Sequence, residues 1–506
     1  MTVIIDHAKE RPASSAANGQ AAHGVERIEV EAVNSAVGRQ LYKAREPIFP
    51  KLVHGRFRAL KWAVLFVTLG VYYILPWIRW PHGPGEPNQA VLVDFAGRRF
   101  YFFFIEIWPD ELYYVTGLLI LGALGLFLAT ALFGRIWCGY TCPQTVWTDL
   151  FIAVERFVEG DRNKRMRLAK APWGAEKIAR KAAKHILWLL IAAATGGAWV
   201  FYFHDAPTIF PQIFKGEAPA SAYLFIGILT FTTYMLAGSM REQVCTYMCP
   251  WPRIQAALTD EETLQVTYKN DRGEPRGPHK KNESWEGRGD CIDCKACVAA
   301  CPVGIDIRDG AQLECINCAL CIDACNEIMK KIERPLGLID YDTDKNIERR
   351  SHGLKPMVKL IRVRTLFYGA VFAIVAGIML YGLSSRSTME LNVLRDRTPP
   401  YVKLSDGSIR NAYTVKIVNK APAERDLIIT MKGPDGLKVS AVGEEVDGDE
   451  VHVKATADDV RAFRVFATLP PAQNQAASLP VVISVEDPAT GDKETNATVF
   501  LTGGQR

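Results

Sequence analysis

Five stretches of the chain, at 60–80, 112–133, 185–203, 223–240 and 366–383, are apolar and nearly free of charge, and polar segments separate them. A helix rises 1.5 Å per residue, so about 20 apolar residues cross a hydrocarbon core roughly 30 Å thick. Each stretch therefore predicts one membrane-spanning helix. "WAVLFVTLGVYYILPWI" and "LFYGAVFAIVAGIMLYGL" are clear examples, and "YLFIGILTFTTYMLAGSM" is the least hydrophobic. The pattern changes between 259 and 362, which is polar, cysteine-rich and long enough for a compact domain. It changes again from 386 onward into short alternating runs such as "AYTVKIV", "RDLIITM", "EVHVKA", "AFRVFATL", "LPVVISVED" and "NATVFLT". Turn residues separate these runs, which predicts a β-sandwich over 386–506.

Lys and Arg set the expected orientation, because they accumulate on the cytoplasmic side of short loops. The segment 159–184 carries nine of them, 81–111 only Arg98 and Arg99, and 204–220 only Lys215. Arg349, Arg350, Lys355, Lys359, Arg362 and Arg364 precede the last span. The N-terminus, the 159–184 loop and the cysteine-rich region are therefore expected in the cytoplasm of a bacterial cell, and the C-terminal sandwich in the periplasm. The first thirty residues contain no apolar run, so no cleaved signal peptide is expected, and 1–58 reads as a largely disordered arm. The expected organisation is a four-span membrane domain at 59–258, a cytoplasmic insert at 259–362, a fifth span at 363–385 and the sandwich. A net charge of +5 is mild and gives no reason to expect a nucleic-acid partner.

All twelve cysteines fall between Cys138 and Cys325, on the expected cytoplasmic side, where metal ligation or redox work is a more natural use than disulfides. "CIDCKACVAACP" and "CINCALCIDAC" both have the C-x2-C-x2-C-x3-C spacing of bacterial two-cluster ferredoxins. In that scheme three thiolates of one run grip one 4Fe–4S cubane and the fourth reaches the other. Cys291, Cys294, Cys297 and Cys325 are thus expected at one cluster, and Cys315, Cys318, Cys321 and Cys301 at the second. Zinc knuckles use paired C-x2-C units and match this spacing poorly. Asn326 stands where the first run has Pro302.

"CGYTCP" and "CTYMCP" each follow an apolar run. The spacing puts both thiols of a pair on one helical face. A proline behind them suits the first turn of a following helix. Arg135 and Arg241 precede the two pairs, and Tyr140 and Tyr247 sit inside them, so spans one–two and three–four read as repeated hairpins. Side by side, the hairpins would bring Cys138, Cys142, Cys245 and Cys249 to one site. Soft thiolates favour Cu(I), with Met240 and Met248 near enough in sequence to add thioethers. Zinc, another iron–sulfur centre and unligated buried thiols stay open. Only His185 touches a span, which argues against bis-histidine haem, and no glycine-rich dinucleotide loop follows a strand.

In "CGYTCPQTVWTD", "CTYMCPWPRIQ" and "CIDCKACVAACPVGIDIRDGAQLECINCALCIDACNEIM" the chain resembles the CcoG/FixG/RdxA family of cytochrome c oxidase accessory proteins. The resemblance covers most of the chain beyond the arm. It implies a five-span α-helical membrane protein with an inserted α+β two-cluster ferredoxin domain and a C-terminal all-β immunoglobulin-like sandwich. It also implies a cupric reductase, an oxidoreductase that uses two 4Fe–4S clusters to reduce Cu(II) to Cu(I) for a haem–copper oxidase. The eight ferredoxin cysteines would relay electrons. Cys138, Cys142, Cys245 and Cys249 would bind copper, with Met240 and Met248 as further candidates. Expected partners are copper ions, a cytoplasmic or quinol electron donor, copper chaperones or transporters, oxidase subunits, membrane lipid and a second copy in a homodimer. Two other functions fit the architecture: a quinol-linked electron-transfer subunit without copper chemistry, and a non-enzymatic copper-binding scaffold.

Overall fold

The computed structural model describes residues 25–34, 46–83, 86–280, 283–421, 423–457, 459–471 and 476–503. The chain forms two compact units, 1–80 with 89–377 and 81–88 with 378–506. In the first unit the helices α1 (Arg56–Ile74), α2 (Tyr113–Phe133), α3 (Ile136–Tyr140), α4 (Pro143–Glu159), α5 (Arg162–Lys170), α6 (Ala175–Val200), α7 (Ala206–Lys215), α8 (Ala220–Thr233) and α9 (Trp251–Leu258) follow in order. Five helical segments are long and apolar enough to cross a membrane: Arg56–Trp77, Pro109–Phe133, Ala175–Val200, Ala220–Met240 and Val363–Ser384.

All five begin a few residues or more before the apolar runs do, and the opening turns of the first and third carry cations that find buried partners. Arg58 on α1 donates to both carboxylate oxygens of Asp149 at 2.9 Å. Around Glu155 on α4 lie Arg165, Lys184 at 3.6 Å and Arg241 at 2.5 Å. Burial alone would raise the pKa of Glu155, but Arg241 and Arg165 hold it below the ordinary glutamate range. A depressed folded pKa stabilises the fold above the unfolded value of about 4.3, and that contribution fades as pH falls through the range below it. Glu155→Gln should therefore cost about 3 kcal/mol or more at neutral pH, since it strands buried cations. It should also flatten the loss of stability on acidification, read by tryptophan fluorescence during unfolding in detergent. Parallel pH slopes for wild type and variant would contradict this account.

Two short features between spans were not apparent in the apolar pattern. Strands Val91–Asp94, Arg99–Phe102 and Ile105–Ile107 form an antiparallel sheet with Leu92 and Tyr101 buried. Helix α7 follows the third span, where a loop was expected.

The ferredoxin fold pairs Gln265–Tyr268 antiparallel with Ile339–Asp342 and packs the helices Ala296–Ala300 and Leu320–Lys331 together. Its core includes Val266, Val298, Ile316, Ile322, Met329 and Leu338. Part of the expected disordered arm belongs to this fold, which corrects that expectation for 25–34 and 46–55. Val25 and Val53 are buried in the same core. Ile28 N donates to Cys294 O at 3.0 Å, Val33 N to Gly304 O at 2.8 Å and Lys51 N to Ala299 O at 2.8 Å. The rest of the arm lies outside the described residues. Asp323, on the helix carrying Cys321 and Cys325, accepts from Arg58 N at 2.7 Å and Phe57 N at 3.4 Å. A carboxylate here satisfies orphan donors at the positive end of α1 and ties the first span to the helix that carries Cys321 and Cys325.

In the second unit two five-stranded antiparallel sheets form an immunoglobulin-like sandwich. One runs Lys438–Ala441, Asp459–Leu469, Ile409–Asn419, Met389–Arg395, with Val402–Lys403 also on Ile409–Asn419. The other runs Glu445–Asp447, Glu450–Ala455, Arg425–Lys432, Ser478–Glu486, Lys493–Leu501. Alternate residues, among them Val415, Ile417, Ile429, Val451, Val465, Ile483 and Phe500, fill the core. The strands at 389–395 and 438–441 lie beyond the six alternating runs expected from the sequence.

Candidate functional site

The two ferredoxin loops have the same backbone. Asp293 and Lys295 in the first, and Asn317 and Ala319 in the second, are non-glycine residues with φ between 52° and 60°, at matching offsets from Cys291 and Cys315. Left-handed backbone costs an L-residue about 1–2 kcal/mol, so it persists only where the surroundings require it. Here it curls the chain so that amides face sulfur. Amides at Ala296, Asn317 and Ile339 donate to Cys294, Cys315 and Cys325, and those of Val303, Gly304 and Ile305 to Cys301.

The structure gathers Cys291, Cys294, Cys297 and Cys325 round one cavity of about 340 Å³. Cys301, Cys315, Cys318 and Cys321 line a second of about 360 Å³, which Cys297 also borders. Burial pushes the Cys301 thiol up to about 11 and the Cys315 thiol up to about 12, and raises Cys297 and Cys321 well above the usual range. Iron has to displace those protons, and the inward amides then stabilise the thiolates. Among the described residues no three His, Cys, Asp or Glu side chains stand close enough to share one metal ion. Four thiols, inward amides and dry walls make each cavity a chemical fit for a 4Fe–4S cluster. Arg308, nearly fully buried, pairs with Asp306 and Asp293 at 2.7 Å and stands 4.0 Å from Cys291 Sγ, so one cavity has a cation against it. Asn326, the residue that replaces the usual proline, accepts from Gly337 N at 2.8 Å and anchors the turn leading into Ile339–Asp342.

The paired thiols stand where spans two and four break. The break after α2 is Gly134, with φ 58°, and the break after the fourth span is Arg241, with φ 47°. Cys138 lies on α3, and Cys142 is the N-cap of α4, whose first residue is Pro143. The second pair differs in winding. Tyr234–Met240 and Val244–Met248 are π-helical, Cys249 follows as the C-cap, and Pro250 is the N-cap of α9. π-Helical turns are rare and concentrate at functional sites.

The four thiols converge electrostatically. Burial, reinforced by Cys142, pushes Cys138 up to about 12, with Cys245 and Cys249 adding to the shift. Cys245 is likewise pushed up to about 12 by burial, then Cys142 and Cys249. Cys138 donates to Gln255 Oε1 at 3.2 Å. Met240 is half-buried, while Met248 and Cys249 are exposed.

Three contacts join the first pair to the second ferredoxin loop. Arg135 donates to the carbonyls of Leu313, Cys315 at 2.9 Å and Pro252 at 2.7 Å. Burial lowers the Arg135 pKa, and Cys138, Cys315, Cys245 and Cys249 all oppose that shift, so one guanidinium faces thiols from both sites. A Cβ on Gly139 would lie 2.6 Å from Ile316 O and 3.0 Å from Asn317 O, which only glycine avoids. Tyr140 Oη donates to Cys318 O at 3.3 Å, whereas Tyr247, its counterpart in the repeat, is exposed. Sequence reasoning assigned no role to Gly139 or Gln255. The glycine inside "CGYTC" was the available signal for the first, and the second had none.

Comparison with known proteins bears on the same segments. Residues 240–344 match the family described as "4Fe-4S dicluster domain", 115–161 the "4Fe-4S binding domain" family, and 379–503 the Ig-like fold at the C-terminal of FixG. The chain is 50% identical over 510 residues to the nitrogen fixation protein FixG of Rhizobium meliloti (strain 1021), covering 95% of this chain and 97% of that one. It is 51% identical over 464 residues to protein RdxB of Cereibacter sphaeroides, covering 91% and 97%. It is 50% identical over 439 residues to protein RdxA of the same organism, covering 86% and 92%. Identity at this level over nearly whole lengths, with the spans, the 4Fe–4S domains and the C-terminal sandwich in place, means that the chain belongs to the FixG/RdxA/RdxB family of multi-pass membrane redox proteins.

Proposed function

We propose that this protein reduces Cu(II) to Cu(I) at the paired thiols with electrons drawn through the ferredoxin fold, and so supplies copper for assembly of cytochrome c oxidase. Cys291, Cys294, Cys297 and Cys325 would hold one 4Fe–4S cluster, and Cys315, Cys318, Cys321 and Cys301 the other. Bound clusters supply one-electron carriers. The observation that carries the reading is the seating of α3 on the loop between Cys315 and Cys318, with Gly139 against the Ile316 and Asn317 carbonyls. Arg135 holds that junction closed through the Cys315 carbonyl.

Copper is substrate here. Each Cu(II) takes one electron, and the softer Cu(I) is the better partner for thiolate. Soft thiolates in pairs are the donors that Cu(I) favours. Cys138 with Cys142, and Cys245 with Cys249, are the proposed binding pairs. The abundance of Lys and Arg in 159–184 and before the fifth span supports a cytoplasmic ferredoxin fold and a periplasmic sandwich.

The test uses iron-replete protein, reduced and freed of excess reductant, then mixed with Cu(II) and a Cu(I)-specific chelator. Cys138→Ser/Cys142→Ser should form Cu(I) roughly tenfold or more slowly than wild type at equal iron content. Equal rates would mean that electrons leak from the clusters without passing these thiols, and the reading would fail.

A further inference from the structure

A third cavity adjoins the junction, apart from the two ferredoxin cavities and bordered by one of the paired thiols. Its space, part of it open to solvent, comes to about 380 Å³, against about 360 and 340 Å³ for the two more closed ferredoxin cavities by the same measure. Its walls come from α1, α4, the break after the fourth span and two ferredoxin segments: Pro302–Val303, directly after Cys301, and Ile316. Cys245 forms part of the wall.

Lys61 is the unusual member. It sits inside the first apolar run, its side chain is 3% exposed, and its nearest carboxylate oxygen, Asp149 Oδ2, is 3.8 Å away. Both Asp149 oxygens already accept from Arg58. Among the described residues the Lys61 ammonium makes no hydrogen bond, although it borders the cavity. The ion pair with Asp149 offsets part of the cost of burying this ammonium, and an oxygen-bearing ligand in the cavity would supply the hydrogen bonds that the shared carboxylate does not.

The charge of the walls narrows the ligand. Lys61 and Arg241 disfavour a free metal cation, while Asp149 and Glu242 disfavour a phosphate-like anion. What remains is a neutral molecule with hydrogen-bonding oxygens, flanked by Ile152, Val303 and Ile316 and held beside the start of the first span and the end of the fourth. We infer that this cavity takes the redox-active headgroup of a quinol, with Lys61 and Thr148 on its oxygens. This deepens the copper-reduction reading by naming its electron donor and rests on that reading for the fate of the electrons. A quinol oxidised here leaves as the quinone. Its two protons would go to water, and its two electrons would leave singly on the Pro302–Val303 side, the oxidants being the two 4Fe–4S clusters that the eight ferredoxin cysteines would hold.

The experiment photolyses a short-tailed azido-ubiquinone with full-length, iron-replete protein in nanodiscs, with and without excess decylubiquinone. Competed label is expected on peptides from 144–152 or 241–245. In Lys61→Met and Thr148→Phe half-saturation should rise about tenfold or more at unchanged iron content. Thr148→Phe fills the cavity without touching the Asp149 ion pairs, so it decides the matter if Lys61→Met folds poorly. Unsaturable label spread over the spans, or the same saturation in wild type and Thr148→Phe, would overturn the inference. Chemically pre-reduced protein needs no quinol, so in wild type the failure of copper reduction and the failure of quinone labelling report separately.

Discussion

Cys301→Ser should strip iron from the site lined by Cys315, Cys318 and Cys321 and spare the one lined by Cys291, Cys294 and Cys297, although Cys301 belongs to the latter motif. The helix Ala296–Ala300 carries the chain from Cys297 to Cys301 across the narrow space between the two cavities. Cys325 makes the reverse crossing on Leu320–Lys331. Each single variant should retain roughly half the iron, because one of two clusters loses a ligand. The discriminating measurement is the paramagnetic resonance of the reduced variants. Cys301→Ser and Cys315→Ser should leave the same residual signal, and Cys297→Ser should share the other with Cys325→Ser. Magnetic interaction between clusters should vanish in all four. If Cys301→Ser instead matched Cys297→Ser, ligation would be local to each motif and the grouping round the two cavities would be misleading.

Gly139→Val is expected to uncouple copper reduction from intact clusters. Its Cβ would fall 2.6 Å from a backbone oxygen, and backbone cannot swing aside as the end of a long side chain can. The two segments must part, at a cost of about 1–3 kcal/mol for overpacking. A misplacement of about 1 Å at a reacting site can cost on the order of 10²-fold in rate. Iron content and cluster spectra should stay close to wild type, while reoxidation of the reduced clusters by Cu(II) slows by about that factor. Gly122→Ala is the control, since a Cβ there meets nothing within 4 Å. A variant at Gly139 that reduced copper at the wild-type rate would remove the α3 junction from the electron path.

Legibility followed the range of the interactions. Spans could be read because the bilayer fixes a length, and the ferredoxin loops because most ligands of a cluster fall within seven consecutive residues, as in Cys291–Cys297. The sandwich showed itself through alternation, since each strand of Ile409–Asn419 type buries every second side chain. The arm at 25–34 could not be read in this way. It makes no regular ladder, and its Arg27–Asp293 pair joins residues 266 apart. Lys61 was hidden because a single cation in an apolar run carries no sign of what faces it. Gly139 and Arg135 take their meaning from the carbonyls of 313–317, which only the folded chain brings near. The π-helical winding at Val244–Met248 likewise has no spacing to announce it, because the thiol pair is written as it is in the α-helical copy.

The hydrogen bonds from Ile28, Val33 and Lys51 to the loops at 294–304 also impose an order on biosynthesis. These donors leave the ribosome about 250 residues before their acceptors, at a chain growth of roughly 5–20 residues per second. The apolar surface of Val25 and Val53 thus waits for some tens of seconds, while four membrane helices are made and inserted, before the core that buries it exists. The seam beside Cys294 closes only when that early segment returns. The arm is thus already made when the cysteine motifs emerge, so the seam can close as soon as residues 294–304 have folded.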